Sequence, residues 1–381
     1  MDLDLSHPSI EDLRKAARRR IPKFAFEYLD SATGRELGLK ANRAALDSIG
    51  FMPSVLCGQT KVGLQTSLLG RTYDLPFGIA PVGMSGLMWA GAERLLAQAS
   101  IEHNIPFSLS SVAVASPEDV APYIGQNGWF QHYPVNSGDL RRAMLPRIKT
   151  AGFNNLIVTV DVPTESRRER QRRANLTVPP KIDFRTLMEM SLRPAWCLAH
   201  LREGIIPRMR FFDDYVPVRG REGFTHAGAL IRGAPDWDYL RALRREWDGH
   251  LIVKGVLRPE DAQKLVAEGI DCIWVSNHSG RQFEAGPAVI EQLPKIRDAV
   301  GPVFPLIYDS SVAWGLDIMR AFAKGANFVM LGRAFQYAVS AFGAKGIDHL
   351  VHILKADINA NMGQLGAENL DSLTDYLIGT D

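Results

Sequence analysis

The segment Ser276-Asn277-His278-Ser279-Gly280-Arg281-Gln282 contains the residue types best placed to do chemistry on a small anion. Histidine titrates near neutral pH, so His278 can accept a proton without strong tuning by its surroundings. Arg281 follows three residues later, and a guanidinium can hold a carboxylate through two parallel hydrogen bonds. The pattern predicts a base beside a carboxylate clamp, and a structural histidine beside a surface arginine is the open alternative.

Polar or conformationally special residues also stand where most of the predicted strands end. Two pairs lie two residues apart and so share a face of their strand. The set is Ala80-Pro81-Val82-Gly83, Ser110-Ser111, Gln131 with Tyr133, Thr159 with Asp161, Lys254, Asn277-His278, Asp309 and Gly332-Arg333. A single polar residue of this kind is usually solvated or structural. Their shared position at the ends of strands predicts one common site.

Short apolar runs alternate with longer amphipathic stretches from about residue 76. The runs are Phe77–Ala80, Pro106–Leu109, Trp129–Tyr133, Leu156–Val160, Leu251–Val253, Cys272–Val275, Val303–Tyr308 and Phe328–Leu331. Strands that alternate with helices indicate a parallel sheet, and eight of them predict a closed TIM (β/α)8 barrel over residues 76–340. In such a barrel the active site lies at the C-terminal ends of the strands, where the residues above stand.

The segments around this barrel are predicted to belong to the same single domain, which spans residues 1–381. Residues 1–75 are predicted to be an N-terminal helical segment in which Ser9 caps a helix and Pro22 divides it in two. Residues 164–236, after the fourth strand, are too long for a simple loop and are predicted to be a lid insertion over the site. Residues 341–381 are predicted to form C-terminal helices.

Composition excludes several classes of function. Lys+Arg 44 against Asp+Glu 42 gives a net charge of +2, so no nucleic acid partner is expected. The basic run at residues 167–173 lacks the interleaved aromatic residues of a nucleic-acid surface. Three widely spaced cysteines, with no CxxC, make a disulfide framework or zinc site unexpected. His349 and His352 lack a third ligand, so no metal is predicted.

The compartment is also predicted from the sequence. The first twenty residues are charged and lack the apolar region of a signal peptide. No apolar run is long enough to span a bilayer. A cytoplasmic location is expected, with peripheral attachment to the inner face of the membrane as the alternative.

The sequence SNHSGRQFE at residues 276–284 resembles the SNHGGRQLD signature of the FMN-dependent 2-hydroxy-acid dehydrogenases and oxidases. This family includes glycolate oxidase, mandelate dehydrogenase and L-lactate dehydrogenase. Further matches follow in order along nearly the whole chain: PKFAFEYL at residues 22–29, the Ala80–Gly83 turn, Ser110-Ser111, Phe130–Tyr133, Thr159–Asp161, Val253–Gly255 and Leu331–Arg333. The resemblance implies a TIM barrel that uses FMN to oxidise a small L-2-hydroxy acid to the 2-oxo acid.

The resemblance implies roles for the residues that act on the substrate. His278 would be the base that starts oxidation at the hydroxyl-bearing carbon. Asp161 would stabilise the imidazolium that forms. Tyr133 would hydrogen-bond the substrate oxygen, and Arg281 and Arg168 would bind the substrate carboxylate.

The resemblance also implies the FMN contacts. Ser110, Gln131 and Thr159 would hydrogen-bond the edge of the isoalloxazine, and Lys254 would lie near flavin N1, where a cation favours the anionic reduced flavin. Arg333 and main-chain N–H groups after the seventh and eighth strands would hold the phosphate. The other expected contacts are Ala80, Pro81, Val82, Gly83, Ser276, Asp309, Ser310, Ser311 and Gly332.

Some positions depart from the family pattern near the substrate. Phe26 stands where a tyrosine is usual, so a hydroxyl near the substrate carboxylate is expected to be missing, and Tyr28 is not expected to replace it. Ser279 replaces a small Gly or Ala, and Val82 replaces a common threonine. Gly83 resembles the dehydrogenase branch, which indicates an electron acceptor other than oxygen.

The largest departure follows the seventh strand. The family pattern Asp-Gly/Ser-Gly-(Val/Ile)-Arg is replaced by Asp309-Ser310-Ser311-Val312-Ala313, so the expected phosphate arginine is Ala313. If Ser311 must adopt a positive φ, the strain costs about 1–2 kcal/mol. The lost phosphate contact costs a further ~1.5–3 kcal/mol. Weakened FMN binding is therefore expected, offset in part by the serine hydroxyls.

Two alternatives to simple oxidation are open. One is a divergent barrel that has lost FMN and serves as a binding or regulatory protein, and the other is a flavoenzyme with a different reaction on a hydroxy acid. The electron acceptor is not identified, and the resemblance implies a homo-oligomer, often a tetramer. Trp196, Phe211 and Phe212 in the insertion are a candidate membrane contact, although a lid packed on the barrel is favoured.

Overall fold

Eight parallel strands close into a barrel at the centre of the fold, which confirms the predicted fold class. The structure, a computed structural model, describes residues 2–58, 62–175, 183–203, 207–215 and 233–379. The strands are β1 (Thr66–Leu68) and β2 (Arg71–Tyr73), which form a separate hairpin, and the barrel strands β3 (Phe77–Ile79), β4 (Phe107–Ser110), β5 (Gly128–His132), β6 (Asn155–Thr159), β7 (His250–Val256), β8 (Cys272–Val275), β9 (Leu306–Tyr308) and β10 (Phe328–Leu331).

Helices surround the barrel and follow its strands in order along the chain. They are α1 (Leu3–Ser6), α2 (Ile10–Arg20), α3 (Lys23–Asp30), α4 (Leu37–Asp47), α5 (Ser85–Met88), α6 (Ala92–Glu102), α7 (Pro117–Val120), α8 (Gly138–Thr150), α9 (Glu169–Arg173), α10 (Phe184–Ser191), α11 (Pro194–Arg202), α12 (Trp237–Glu246), α13 (Pro259–Ala267), α14 (Val289–Val300), α15 (Gly315–Ala323), α16 (Arg333–Phe342) and α17 (Ala344–Leu365). Short 3-10 turns cover Ala121–Tyr123, Arg210–Phe212, His278–Gly280 and Leu370–Tyr376.

The predicted strands all occur, with small differences at their ends. The largest differences are at β7, which ends at Val256 rather than at Val253, and at β9, which begins at Leu306 rather than at Val303 and leaves Val303 89% exposed. The two N-terminal helices are confirmed as well. Ser9 accepts a hydrogen bond from the Asp12 N–H at 3.3 Å, and Pro22 separates α2 from α3.

The β1–β2 hairpin was not predicted, because strands of three residues leave little periodic pattern. Leu68 and Tyr73 pack with the apolar side chains that fill the barrel lumen. The Trp129 indole N–H donates to the Tyr73 hydroxyl at 3.3 Å. The hairpin therefore covers the barrel at the end opposite to the predicted site.

Side chains alternate between the inside and the outside of the barrel along each strand. The inward-facing residues form an apolar layer with the layer of predicted site residues above it. Trp129, Ile157, Ile252, Trp274 and Ile307 are all 0% exposed and fill the lumen. Two residues further along each of these five segments, the side chain again faces the lumen of the barrel. Those next inward positions are Gln131, Thr159, Lys254, Ser276 and Asp309, all predicted site residues.

The insertion after β6 packs on the barrel where the structure describes it. The aromatic residues proposed as a membrane contact are buried, at 4% for Trp196 and 1% each for Phe211 and Phe212. Trp196 packs edge-on against Phe24 at 5.8 Å, and Phe211 against Phe130 at 5.1 Å. The rest of the predicted lid falls partly on residues 176–182, 204–206 and 216–232, outside the described residues. None of the described helices is long and apolar enough to cross a membrane.

We expect Trp129→Ala to destabilise the protein by about 3–5 kcal/mol, the usual cost of truncating a fully buried aromatic. The indole fills the lumen and donates a hydrogen bond to Tyr73 of the β1–β2 hairpin. Its removal would leave a cavity in a closely packed interior. Denaturant unfolding followed by circular dichroism measures the change. Phe184→Ala is the control, because Phe184 is 76% exposed. An equal loss in both variants would contradict a lumen that depends on close packing.

Candidate active site

His278 lies directly after β8 and faces Asp161 from the end of β6. Its Nδ1 is 3.2 Å from each carboxylate oxygen of Asp161, and its main-chain N–H donates to Ser276 Oγ at 3.0 Å. His278 has a φ of 56°, a left-handed conformation that costs a non-glycine residue free energy. This backbone geometry holds Nδ1 of the ring against Asp161. Nε2, the other ring nitrogen, takes no part in that contact.

The turn that carries His278 is held by a buried pair of amides that the sequence analysis missed. Asn277 Oδ1 accepts from the Gly280 N–H at 3.1 Å and from Asn42 Nδ2 at 2.8 Å. Asn277 Nδ2 donates in return to Asn42 Oδ1 at 3.0 Å. Asn42 is on α4, so an N-terminal helix braces the turn. Nothing in the sequence marks two asparagines 235 residues apart as partners.

The electrostatics suit His278 as a proton acceptor. Burial lowers the pKa of its imidazole, and the charges of Lys254 and Arg168 lower it further, while Asp161 opposes them. Burial would raise the pKa of the Asp161 carboxyl, but His278 and Lys254 outweigh burial and hold that pKa below its ordinary value. At neutral pH the site therefore holds a neutral imidazole beside a carboxylate that can stabilise its protonated form.

Lys254 lies at the centre of the inward layer and is 4% exposed. Its ammonium donates to Ser276 Oγ at 2.8 Å and pairs with Asp309 at 3.2 Å. Gly255 follows with a φ of 106°, and a Cβ at that position would lie 2.6 Å from the Cβ of Asp161. A glycine is required here because the chain must turn so that both Lys254 and Asp161 reach the site.

Three arginines converge at one side of the site. Arg281 donates to the carbonyl oxygens of Leu29 at 3.0 Å and Ser31 at 2.8 Å, at the end of α3. Arg333 donates to the same two oxygens at 3.2 Å each. Burial, then the charges of Arg168 and Arg333, lower the pKa of Arg281 well below its ordinary value. A bound carboxylate would relieve that repulsion, which makes this side the candidate anion site.

Arg168 reaches the anion site from the start of the insertion. It has a φ of 43°, and its Nε donates to Ser166 Oγ at 3.0 Å. Ser166 Oγ donates in turn to the carbonyl oxygen of Arg281 at 2.7 Å. Two residues on, Arg170 pairs with Asp30 at 2.7 Å. The predicted substrate arginines are thus held together from two distant parts of the chain.

Tyr28 corrects the expectation built on Phe26. Phe26 is 1% exposed and stacks on Tyr337 at 6.2 Å, so it belongs to the core. The hydroxyl of Tyr28 lies 3.1 Å from where a Cβ on Gly83 would be, and the interaction with Tyr28 contributes to the raised pKa of Tyr133. α3 therefore does supply a tyrosine hydroxyl near the site. Phe26 and Tyr28 are two residues apart on a helix and so face different directions, one into the core and the other toward Gly83 and Tyr133. The apolar pattern around Phe26 was the signal that could have found Tyr28.

Tyr133 remains a hydrogen-bond donor in this environment. Burial raises the pKa of its phenol, and the charge of Asp161 raises it further. Its main-chain N–H donates to Ser111 Oγ at 3.3 Å, which fixes the end of β5. The hydroxyl is thus protonated at neutral pH and can donate to a substrate oxygen.

A chain of buried hydrogen bonds lines the adjacent part of the barrel mouth. Ser110 Oγ donates to Gln131 Oε1 at 2.7 Å, and Gln131 Nε2 donates to Thr159 Oγ1 at 2.9 Å. All three are 2–3% exposed. A Cβ on Gly332 would lie 3.2 Å from Val82 and 3.7 Å from the Cβ of Ala80, which brings the ends of β10 and β3 together. Pro81 and Gly83 belong to the same β3 turn.

The loop after β9 has the unusual backbone that the sequence analysis anticipated. Ser310 and Ser311 have φ values of 90° and 66°. Ser310 Oγ donates to Asp309 at 2.8 Å and accepts from the Ser279 N–H at 3.2 Å, and Ser279 itself has a φ of 55°. The Oγ of Ser311 is buried, with no partner among the described residues. The Arg333 side chain donates through Nε and Nη2 to the carbonyl oxygens of Leu29 and Ser31, and its main chain begins α16.

Two features that the sequence analysis did not favour as functional sites, the His349–His352 pair and the rest of the basic run, have structural partners. His349 bonds to the carbonyl oxygen of His7 at 2.9 Å on the terminal helix α17. Within the basic run, Arg170 pairs with Glu27, Asp30 and Glu36, so it serves the contact between α9 and α3.

Comparisons with known proteins agree with this geometry. The sequence profile of a family described as FMN-dependent dehydrogenase matches residues 17–380. An L-lactate dehydrogenase of Acinetobacter baumannii is 34% identical, over 96% of each chain. An (S)-mandelate dehydrogenase of Pseudomonas putida is 33% identical, over 97% of this chain and 93% of its own length. A crystal structure described as monotopic membrane protein (S)-mandelate dehydrogenase superposes with a TM-score of 0.91 at 32% identity, over 97% of this chain and 98% of that chain.

We expect His278 to titrate below the ordinary value of 6.5, and to titrate lower still in Asp161→Asn, because the carboxylate raises the pKa of the imidazole. NMR of the protein labelled in its histidine rings measures both, and a His278→Gln sample identifies the signal. His352, whose side chain is 60% exposed, is the reference in the same spectra. An unchanged or higher pKa in Asp161→Asn would contradict the proposed pairing.

Proposed function

The chain belongs to the family of FMN-dependent dehydrogenases, and from that premise we propose that it oxidises a small L-2-hydroxy acid to the 2-oxo acid with His278 as the base. The relatives named L-lactate dehydrogenase and (S)-mandelate dehydrogenase support this substrate class. The observation that carries the proposal is the pairing of His278 with Asp161 beside three arginines. A base, its carboxylate and an anion site are the groups that a 2-hydroxy acid requires.

FMN is the cofactor of this family, and the residues at the barrel mouth fit it. The chain Ser110–Gln131–Thr159 offers donors and acceptors to a flat heteroaromatic edge. Lys254 lies in the same layer, where its charge would stabilise a negative reduced flavin. The Oγ of Ser311, which has no partner in the described part of the chain, offers one further donor. We propose that these residues hold FMN together with Ala80, Pro81, Val82, Gly83, Ser276, Asp309, Ser310, Gly332 and Arg333.

The chain's own residues then bind and orient the substrate. Arg281 and Arg168 would bind the carboxylate through charge-assisted hydrogen bonds. Tyr133 would donate to the hydroxyl-derived oxygen, with Tyr28 on the same side. These contacts would fix which face of the hydroxyl-bearing carbon meets the flavin.

Proton transfer is assigned to His278. Its Nε2 would accept the proton, and Asp161 at Nδ1 would stabilise the imidazolium. Bound FMN supplies the two-electron acceptor for this oxidation. Because Asp161 lies 3.2 Å from Nδ1, the ring needs no reorientation when it becomes charged.

We expect the purified protein to show a flavin absorption spectrum that bleaches under anaerobic mixing with lactate, glycolate or mandelate. His278→Ala should keep the spectrum but lose bleaching by ~10²-fold or more, the usual contribution of a positioned base. His352→Ala, on an exposed surface site, is the control. Unimpaired bleaching in His278→Ala would contradict the assignment of the base.

Two other outcomes of this experiment favour the other functions considered. Protein that stays colourless in excess FMN would favour a binding or regulatory role. Bleaching without formation of a 2-oxo acid would indicate another reaction on the hydroxy acid. Readmitting oxygen or a dye to the reduced protein tests the acceptor, which we propose is not oxygen because Gly83 resembles the dehydrogenase branch.

We also propose peripheral attachment to an anionic lipid surface through one face of α10 and α11. Phe184, Leu187 and Met188 are 76%, 52% and 51% exposed and lie on one face of α10. Leu192, in the turn after α10, and Leu201, on α11, are also exposed, at 65% and 76%. Soluble proteins rarely expose an apolar patch of this kind without a partner. The (S)-mandelate dehydrogenase of TM-score 0.91 is itself described as a monotopic membrane protein.

We expect the wild-type protein to sediment with vesicles of phosphatidylethanolamine and phosphatidylglycerol, and the double variant Leu187→Glu/Leu201→Glu to remain in the supernatant. Two charges on the apolar surface oppose burial at the lipid interface. Val303→Glu is the control, since Val303 is as exposed but lies at the other end of the barrel. Equal sedimentation of all three proteins would overturn this surface as the contact. A homotetramer and a cytoplasmic location stay predictions.

A further inference from the structure

The loop after β9 keeps an unusual backbone without a glycine to relieve it. Ser310 and Ser311 have φ values of 90° and 66°, and such conformations cost a non-glycine residue free energy. A strained backbone persists only where the surrounding structure holds it in place. Two side chains, Tyr308 and Arg43, donate hydrogen bonds to the carbonyl oxygens of this loop.

Tyr308 holds the first of these carbonyls. It follows Ile307, which fills the lumen, so its own side chain points out of the barrel into the core between strands and helices. Tyr308 is 0% exposed, and its hydroxyl donates to the carbonyl oxygen of Ser310 at 3.1 Å. Burial, and then the charges of Asp309 and Asp317, raise the pKa of this phenol well above its ordinary value. The hydroxyl therefore keeps the proton that it donates.

Arg43, on α4, holds the second carbonyl. Its Nη1 donates to the carbonyl oxygen of Ser311 at 3.0 Å and to the Asp317 carboxylate, on α15, at 2.6 Å. The N–H groups of Ala313 and Trp314 donate to the same carboxylate, at 2.9 Å and 3.1 Å. The outer side of the loop is thus tied to the helices behind the barrel.

The bonds to the two carbonyls decide where the next N–H groups point. A trans peptide unit is planar, and its C=O and N–H point in opposite directions. The carbonyl of Ser310 shares a peptide unit with the N–H of Ser311, and the carbonyl of Ser311 shares one with the N–H of Val312. Because Tyr308 and Arg43 hold both carbonyls on the outer side, both N–H groups point the other way, toward the mouth of the barrel.

These donors have no partner among the described residues. Neither the Ser311 N–H nor the Val312 N–H has an acceptor there, and the buried Oγ of Ser311 has none either. Buried polar groups are normally hydrogen-bonded, so an unpaired set of donors indicates a ligand. Successive N–H groups in such a turn form a concave surface that binds anions. In TIM barrels the loops after the last two strands commonly hold a phosphate.

We infer that Tyr308 is a positioning residue for the flavin phosphate: its hydroxyl fixes the peptide unit between Ser310 and Ser311 so that the Ser311 N–H meets a phosphate oxygen. The inference rests on the FMN site of the proposed function. Tyr308 acts through the loop rather than by contact with the flavin. Arg333, at the start of α16, can add its charge to the same phosphate without changing this role.

The test is a competition between FMN and riboflavin, the same flavin without the phosphate, in the wild type and in Tyr308→Phe. Each protein is equilibrated with both flavins in known ratio and freed of unbound flavin, and its bound flavins are separated and quantified. We expect the preference for FMN to fall about tenfold in Tyr308→Phe, the scale of one hydrogen bond to a charged group. The isoalloxazine contacts are common to both flavins, so a general change in the site cancels in this ratio.

Tyr73→Phe is the matched control. Tyr73 is 1% exposed, and its hydroxyl accepts a hydrogen bond from Trp129 at the opposite end of the barrel. Loss of that hydroxyl should leave the preference for FMN unchanged. An equal fall in both variants, or a change of less than about twofold in Tyr308→Phe, would overturn the inference while the FMN assignment stands. Retention of neither flavin by the wild type would overturn the inference and the FMN assignment together.

A crystal structure of the wild-type protein with FMN tests the same geometry without a variant. We expect a phosphate oxygen within about 3.2 Å of the Ser311 nitrogen, with the Tyr308 hydroxyl still on the Ser310 carbonyl. A phosphate bound elsewhere, or a Ser310–Ser311 peptide unit turned the other way, would overturn the inference even if Tyr308→Phe did not fold.

Discussion

The site depends on burying charged groups at the mouth of the barrel without leaving them unpaired. A buried ion without a partner costs several kcal/mol. Asp161 therefore lies against His278, and Asp309 against Lys254, at 3.2 Å in both cases. Since barrel strands send alternate side chains inward, both pairs stand directly above a layer of apolar residues that excludes water from below. The His278–Asp161 pair also holds a neutral imidazole beside a carboxylate, the protonation states that the proposed proton transfer needs.

The arginines at the anion site follow a different rule. Arg281 and Arg333 have no carboxylate partner among the described residues, and carbonyl oxygens at the end of α3 accept their hydrogen bonds. The C-terminal end of a helix carries partial negative charge, which makes it a suitable place for guanidiniums. This arrangement keeps the cations in position, and no carboxylate of the described residues neutralises their charge. It also ties the N-terminal helices to the function, because α3 holds the arginines and carries Tyr28.

Sequence reasoning succeeded where a local pattern reports a local property. The apolar runs predicted every barrel strand, and Pro22 predicted the break between α2 and α3. The positions after the strands predicted that Asp161, Lys254 and His278 meet, because closure of a parallel barrel brings all strand ends together. The positive φ of Ser311 was anticipated from the glycine that usually stands there. The roles of these residues in binding and catalysis rest on the proposed function.

Sequence reasoning failed where orientation or a distant partner decides. It expected that Phe26 would leave the site without a hydroxyl and that Tyr28 would not replace it. The rotation of α3 about its axis decides this, and it is set by packing, including the stack of Phe26 on Tyr337. It also missed that carbonyls some 300 residues away accept hydrogen bonds from the Arg333 side chain. The sequence by itself determined the barrel, the family and the identity of the polar layer, since these depend on periodicity and motif. Only the tertiary structure decided which partners the charged side chains have and which side chains meet at the mouth of the barrel, because long flexible side chains take whichever partner the packed fold brings within reach.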